Sequence, residues 1–119
     1  MKFNETNEFQ KDFKKLQKKY KSLKEDLNNF KKVISKIPLG TSKHFVILTQ
    51  RSLVKIIKAR FFCRYLKGSS LRVVYSYHND TDTIEFIEFI ELYFKGDKEN
   101  HDMSRVKNYL LKIPKKSVK

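Results

Sequence analysis

Cysteine occurs once in this chain, acidic residues are missing from its whole central third, and no apolar run is long. With Cys63 alone, no intramolecular disulfide can form, so this is not a disulfide-stapled scaffold. Inside Phe61-Phe62-Cys63-Arg64-Tyr65 the thiol reads as a small buried hydrophobe rather than a nucleophile. The N-terminal MKFNETNEF has no apolar stretch of the signal-peptide kind. Nothing nears the roughly 18 apolar residues that a membrane helix needs. These absences lead us to expect a cytoplasmic protein that does not span a membrane. No phosphate-binding Walker loop, dinucleotide fingerprint or nucleophile elbow is present, which removes the commonest nucleotide-binding and hydrolase classes.

The missing acid is the most informative absence. Between Leu27 and Asn79 stand eleven Lys or Arg and no Asp or Glu. Residues 1–26 hold eight basic and five acidic side chains, and residues 80–119 hold eight of each. The net charge of +14 is therefore concentrated in the middle of the chain. Such a block creates a field that draws in polyanions. It is not a disordered basic tail, because ten Phe and six Tyr can build a core. A chain this long buries about 65% of its unfolded surface, enough for one domain over 1–119, with 114–119 as a frayed tail.

Phe9, Phe13, Leu16, Tyr20, Leu23, Leu27, Phe30, Ile34 and Ile37 follow one another at steps of three and four, a helical stripe. Ser22-Leu23-Lys24-Glu25 has the form of a capping box and predicts a break near Tyr20 to Ser22, giving a helical hairpin instead of one long helix. Lysines 11, 14, 15, 18, 19, 21 and 24 fall off the stripe as a solvated face. That basic amphipathic helix could also suggest a membrane surface, but its stripe is better used in packing on a sheet. Pro38-Leu39-Gly40 ends the second helix.

Four β-rich segments follow: Phe45 to Leu48, Val54 to Phe62, Leu71 to Tyr77 and Thr83 to Phe94. They are separated by turn-like pieces at 49–52, 67–70 and 79–82, and predict an antiparallel meander. Met1 to Phe3 could add an edge strand. Ile84 to Leu92 repeats every three residues, which suits a bulged strand or one covered on both faces, with helix as the alternative. Met103, Val106, Tyr109, Leu110 and Ile113 space a last helix closed by Pro114. The expected fold is α+β: an N-terminal helical hairpin packed on an antiparallel sheet of about four strands, with a C-terminal helix and the helices on one face.

Strand alternation puts Ile56, Lys58 and Arg60 on one side and Lys55, Ile57 and Ala59 on the other. In the next strand Arg72, Val74, Ser76 and His78 share a face. If Lys58, Arg60 and Arg72 occupy the uncovered face, the sheet offers a cationic groove where Arg grips phosphate with two donors and Lys adds a mobile charge. Tyr75, Tyr77, Tyr93 or Tyr109 could stack on unpaired bases. Lys55, Arg64, Tyr75 and Lys98 complete the expected RNA contacts.

The order of a helical hairpin, a Lys58-Ala59-Arg60 strand, the hairpin Lys67-Gly68-Ser69-Ser70-Leu71-Arg72-Val73-Val74-Tyr75 and then Leu92-Tyr93-Phe94-Lys95-Gly96-Asp97-Lys98 resembles the RelE/ParE superfamily of type II toxin-antitoxin toxins, over Phe9 to Leu110. That resemblance implies a toxin that enters the ribosomal A site and cuts mRNA through attack of a ribose 2'-OH on the adjacent phosphate, inhibiting translation. By the same likeness the catalytic set is Lys58, Arg60, Arg72, Lys95 and Tyr109. Arg60 and Arg72 would stabilise the transition-state charge. Lys58, its pKa lowered by neighbouring cations, would act as base. Lys95 or Tyr109 would protonate the leaving group. No metal and no cofactor is required. The implied partners are a cognate antitoxin protein that folds on the basic face, and the ribosome with its mRNA. Some branches place a His where this chain has Phe94-Lys95, so branches with a Glu/His pair match poorly. A ParE-like gyrase inhibitor and an inactive RNA- or partner-binding module are the alternatives.

His44, His78 and His101 show no common spacing and are expected in turns or at the surface. A zinc site from His78, Asp80, Asp82 and Cys63 lacks ligand spacing. The acidic run Asp80 to Glu91 reads as a loop and exposed strand edge.

Overall fold

Alternation along the strand Val54–Cys63 sends Ile57, Ala59, Phe61 and Cys63 into one apolar cluster and Val54 and Ile56 into another. Each face of the sheet therefore needs a cover. The computed structural model describes residues 1–41, 43–79 and 85–113. In chain order it holds β1 (Lys2–Glu5), α1 (Asn7–Gln17), α2 (Leu23–Lys36), β2 (Phe45–Arg51), β3 (Val54–Cys63), β4 (Gly68–His78), β5 (Phe86–Phe94) and α3 (Met103–Leu111). The sheet order is β1-β5-β4-β3-β2. The turn at 79–82, the start of the fourth expected strand, Pro114 and the tail at 114–119 fall wholly or partly outside the described residues. Among the described residues no helix is long and apolar enough to cross a membrane.

The α+β class stands, with two corrections to its arrangement. The sheet has five strands and is mixed, because β1 runs parallel to β5 while every other pairing is antiparallel. The helices also lie on both faces. Phe9, Leu16, Leu23, Leu27 and Ile34 of α1 and α2 pack on the first cluster, whereas Val106 of α3, with Tyr109, Leu110 and Ile113, covers Val54, Ile56, Val74 and Ile90 on the second. That apolar patch, left exposed, would cost roughly 1.5–3 kcal/mol per large side chain, which is why α3 folds onto it.

The three-residue repeat in β5 is a bulge. Val74 pairs with Glu91 and Tyr75 with Phe89, leaving Ile90 as the extra residue. Ile87 and Phe89 enter the first cluster, Ile90 the second, and Leu92 returns to the first. Both suggestions made by the pattern, a bulge and two covered faces, hold together. Beyond the end of β1 the edge of β5 is satisfied by side chains. Leu92 N–H donates to Asp12 Oδ2 at 3.1 Å, and Arg105 donates to Asp12 at 2.6 Å and to the Ile90 carbonyl at 3.0 Å.

The helix break lies where Ser22 placed it, but the capping box does not form. Ser22 sits at the N-cap without a side-chain cap bond. Its hydroxyl donates to Asp26 Oδ2 at 2.7 Å and accepts from Tyr65 N–H at 2.9 Å. Glu25 pairs with Arg64. The predicted solvated lysines of α1 and its connection to α2 are all exposed.

Candidate nucleic-acid interface

Helix α3 covers only part of the second face. Past Ile56 and Val74 the strands carry Lys58, Arg60 and Arg72, with Tyr93 on β5 opposite Arg72. Arg60 pairs directly with Arg72 across β3 and β4, a register that sets their Cα atoms roughly 5 Å apart. Arg72 is steadied by donating to the Ser69 and Leu71 carbonyls at 2.6 and 3.1 Å. Lys95 follows β5 directly, its N–H bonded to the Ser70 carbonyl at 2.9 Å.

Burial lowers the Lys58 pKa first, and the charges of Arg72 and Lys95 lower it further, against a smaller opposite pull from Glu91. These interactions place Lys58, Arg72 and Lys95 in one electrostatic cluster. Lys58 Nζ lies 3.4 Å from His101 Nδ1. Burial likewise lowers the His101 pKa, with Lys58 the next cause. Neutral imidazole is therefore the favoured form beside a cation.

Glu91 organises the loop over this cluster. Its side chain is 1% exposed, and it accepts from Lys98 Nζ and from Asp102 N–H. Asp102 in turn caps α3 through Arg105 N–H. Lys98 also stands 5.1 Å from the centre of the Tyr93 ring. Burial raises the Tyr93 pKa, as does Glu91, while Arg72 opposes them. One buried carboxylate thus fixes the segment that delivers Lys95, Lys98 and His101.

Of the residues expected at the site, Lys58, Arg60, Arg72, Lys95 and Lys98 come together. Four others do not. Tyr75 is fully buried in the first cluster and donates its hydroxyl to the Pro38 carbonyl at 2.7 Å, so it offers no stacking face. Arg64 is engaged by Glu25 and approaches Asp26, on the α2 side. Lys55 faces Tyr77 across the ladder and lies on the face of Ile57 and Ala59. Tyr109 hydrogen-bonds Ser76, His78 and Glu88. Ser76 is four residues along β4 from Arg72, about 13 Å at the strand rise. Tyr77 is also buried, and burial together with Glu85 pushes its pKa up to about 12.

Glu91 and His101 join the site without having been assigned to it from sequence. The bulge carried the signal for Glu91: after Ile90 the alternation shifts, and Glu91 falls on the face of Arg72. Cys63 is buried, as expected for a small hydrophobe, and belongs to the first cluster. His78 faces the second, so strand geometry separates two of the four residues weighed for zinc; Asp80 and Asp82 lie outside the described residues. Among the described residues no group of three or more His, Cys, Asp or Glu is placed to hold a metal ion. Comparison with protein families, curated proteins and solved structures gives no match.

Proposed function

We propose that this protein is a RelE-like toxin of a type II toxin-antitoxin system, a metal-independent endoribonuclease that cuts ribosome-bound mRNA. The observation that carries the reading is the Arg60 and Arg72 pair beside a partly buried Lys58 of lowered pKa. Cations crowded together in this way repel one another until a phosphodiester neutralises them.

In the proposed reaction Lys58, its pKa lowered by burial and then by Arg72 and Lys95, takes the proton of a ribose 2'-OH, while His101 Nδ1 orients it and His101 Nε2 is engaged by Met103 Sδ. The oxygen attacks the adjacent phosphorus, the bond to the 5' oxygen breaks, and Lys95 protonates the departing oxygen. The products are a 2',3'-cyclic phosphate and a 5'-hydroxyl. Arg60, Arg72 and Lys58 hold the extra negative charge of the transition state. Tyr93 is buried beneath Lys98 and, like Tyr75 and Tyr77, has no free face for a base, so the scheme rests on phosphate contacts. Tyr109 has no role in this scheme, since its hydroxyl is committed elsewhere.

A translation extract programmed with one defined mRNA tests the proposal. Purified protein should generate discrete 5' ends within the translated frame, absent with Arg72→Ala and absent on naked mRNA. Uncut mRNA in a translating extract would sink it. Inhibition of purified gyrase by the same preparation would then favour the ParE-like alternative.

A further inference from the structure

Asp26 on α2 is a buried carboxylate with one oxygen left over. Its side chain is 1% exposed. Oδ2 accepts from the Ser22 hydroxyl at 2.7 Å and from Arg64 N–H at 3.2 Å, which accounts for half of the group. Oδ1 has no hydrogen-bond partner among the described residues. Arg64 Nε stands 4.0 Å from it, beyond hydrogen-bond reach. A buried acceptor without a donor is costly and calls for an explanation.

Asp26 also lines a cavity of about 260 Å³ where α2 meets the start of β2 and the end of β3. Most of its wall is apolar, from Phe30, Val33, Phe45 and Phe62. Phe30 and Phe45 stack with ring centres 6.3 Å apart, so this part of the wall is in place before any ligand arrives. Phe62 is 54% exposed. Phe61 and Cys63 on either side of it enter the first cluster, which sends the Phe62 ring to the side of Arg60. The space is smaller than the roughly 300–1,000 Å³ of drug-sized sites and suits one flat ring system.

Two exposed residues at the rim tie the cavity to the cationic face. Arg60 is one, and Ser69, whose carbonyl accepts from Arg72 at 2.6 Å, is the other. The cavity therefore opens beside both arginines assigned to the phosphate. Phe62 lies two residues from Arg60, about 7 Å along the strand, a distance that one nucleotide covers. The chemistry of Oδ1 selects the base. Adenine, cytosine and guanine carry an exocyclic amino donor, whereas uracil would set carbonyl oxygens against the carboxylate.

We infer that this cavity receives an unstacked base of the bound RNA, one whose exocyclic amino group donates to Asp26 Oδ1 while Phe62 packs on the ring. The inference rests on the assignment of Arg60 and Arg72 to the RNA phosphate, and it supplies the base contact that the buried Tyr75, Tyr77 and Tyr93 do not give.

Six-nucleotide 2'-O-methyl strands, abasic except for one central A, C or U, or fully abasic, share the same phosphates and resist 2'-OH attack. Fluorescence anisotropy with the full chain should show the A and C strands binding about tenfold more tightly than the U and abasic strands. Phe62→Ala, at an exposed position, should weaken the A strand at least about fivefold and leave the abasic strand unchanged. Asp26→Asn, with circular dichroism matching wild type, should remove the preference over U, because its amide would donate from the Oδ1 position to a uracil carbonyl. Arg72→Ala should weaken all four strands alike. Equal affinity for the four strands, a Phe62→Ala variant that binds A as wild type does, or a preference that survives Asp26→Asn would overturn the base site while the Arg72→Ala loss keeps the phosphate assignment. Unchanged binding in Arg72→Ala would overturn that assignment and the base site with it.

Discussion

Arg60 and Arg72 face each other across adjacent antiparallel strands, in a stretch of sequence that supplies no carboxylate to separate them. Like charges directly opposite on a ladder destabilise it by a few tenths to about 1 kcal/mol. Arg60→Thr should therefore raise folding stability by roughly 0.5 kcal/mol while abolishing cleavage. Urea unfolding beside a cleavage assay checks both signs. A variant that loses stability would show that the pair is structural.

His101 and Lys58 give a second prediction, read by NMR. Because burial and then Lys58 lower the His101 pKa, its ring should titrate below 6.5 in wild type. Lys58→Met removes a neighbouring cation, so the titration should move upward. The same Lys58→Met variant should reduce cleavage about 10²-fold and flatten the acidic limb of the rate profile. An unshifted His101 in Lys58→Met would separate the two residues.

Much of this arrangement was legible in the sequence, and the misses have identifiable physics. Strand alternation located Lys58 and Arg60 on one face and Arg72 beside them, because a two-residue period is a property of the backbone. The same rule already placed Lys55 on the opposite face, where it lies. Tyr75 follows that rule too, facing the hairpin with Leu71 and Val73. Alternation cannot say that β1 enters parallel to β5, nor that the β5 edge beyond it is met by Thr6 N–H on the Phe89 carbonyl and by Asp12, contacts that only the fold brings together. Nor does the period of α3 reveal which face it covers. Ser22 marked the helix break correctly although its hydroxyl serves Asp26 and Tyr65, both reached only through the fold.

His78 predicts how stability varies with pH. Its folded pKa is about 4, against 6.5 for the unperturbed group, with burial as the cause. The unfolded chain therefore takes up the proton first as pH falls. The stabilisation is complete above pH 6.5 and is lost progressively between 6.5 and 4, amounting to at most about 3 kcal/mol. His78→Gln should flatten this part of the stability profile, measured by urea denaturation at several pH values. An equally steep profile in the variant would assign the loss to other groups.

Asp12 closes the β5 edge by accepting from both Leu92 N–H and Arg105. Asp12→Ala leaves a backbone donor and a half-buried guanidinium without that acceptor, and should cost about 2–4 kcal/mol. Asp12→Asn, which can still accept from one of them, should cost less. Hydrogen exchange at Leu92 should accelerate in the alanine variant; unchanged protection would mean that the edge is held by something else.

The central claim is that the cationic face of β3 and β4 cuts mRNA on the ribosome. Its most direct test is induced expression in a bacterial host, with growth followed and the 5' ends of cellular mRNA mapped, for wild type beside Arg72→Ala. The account predicts growth arrest with new in-frame mRNA ends in wild type, and neither in the variant. Arrest without new ends, or ends that persist in Arg72→Ala, would contradict it.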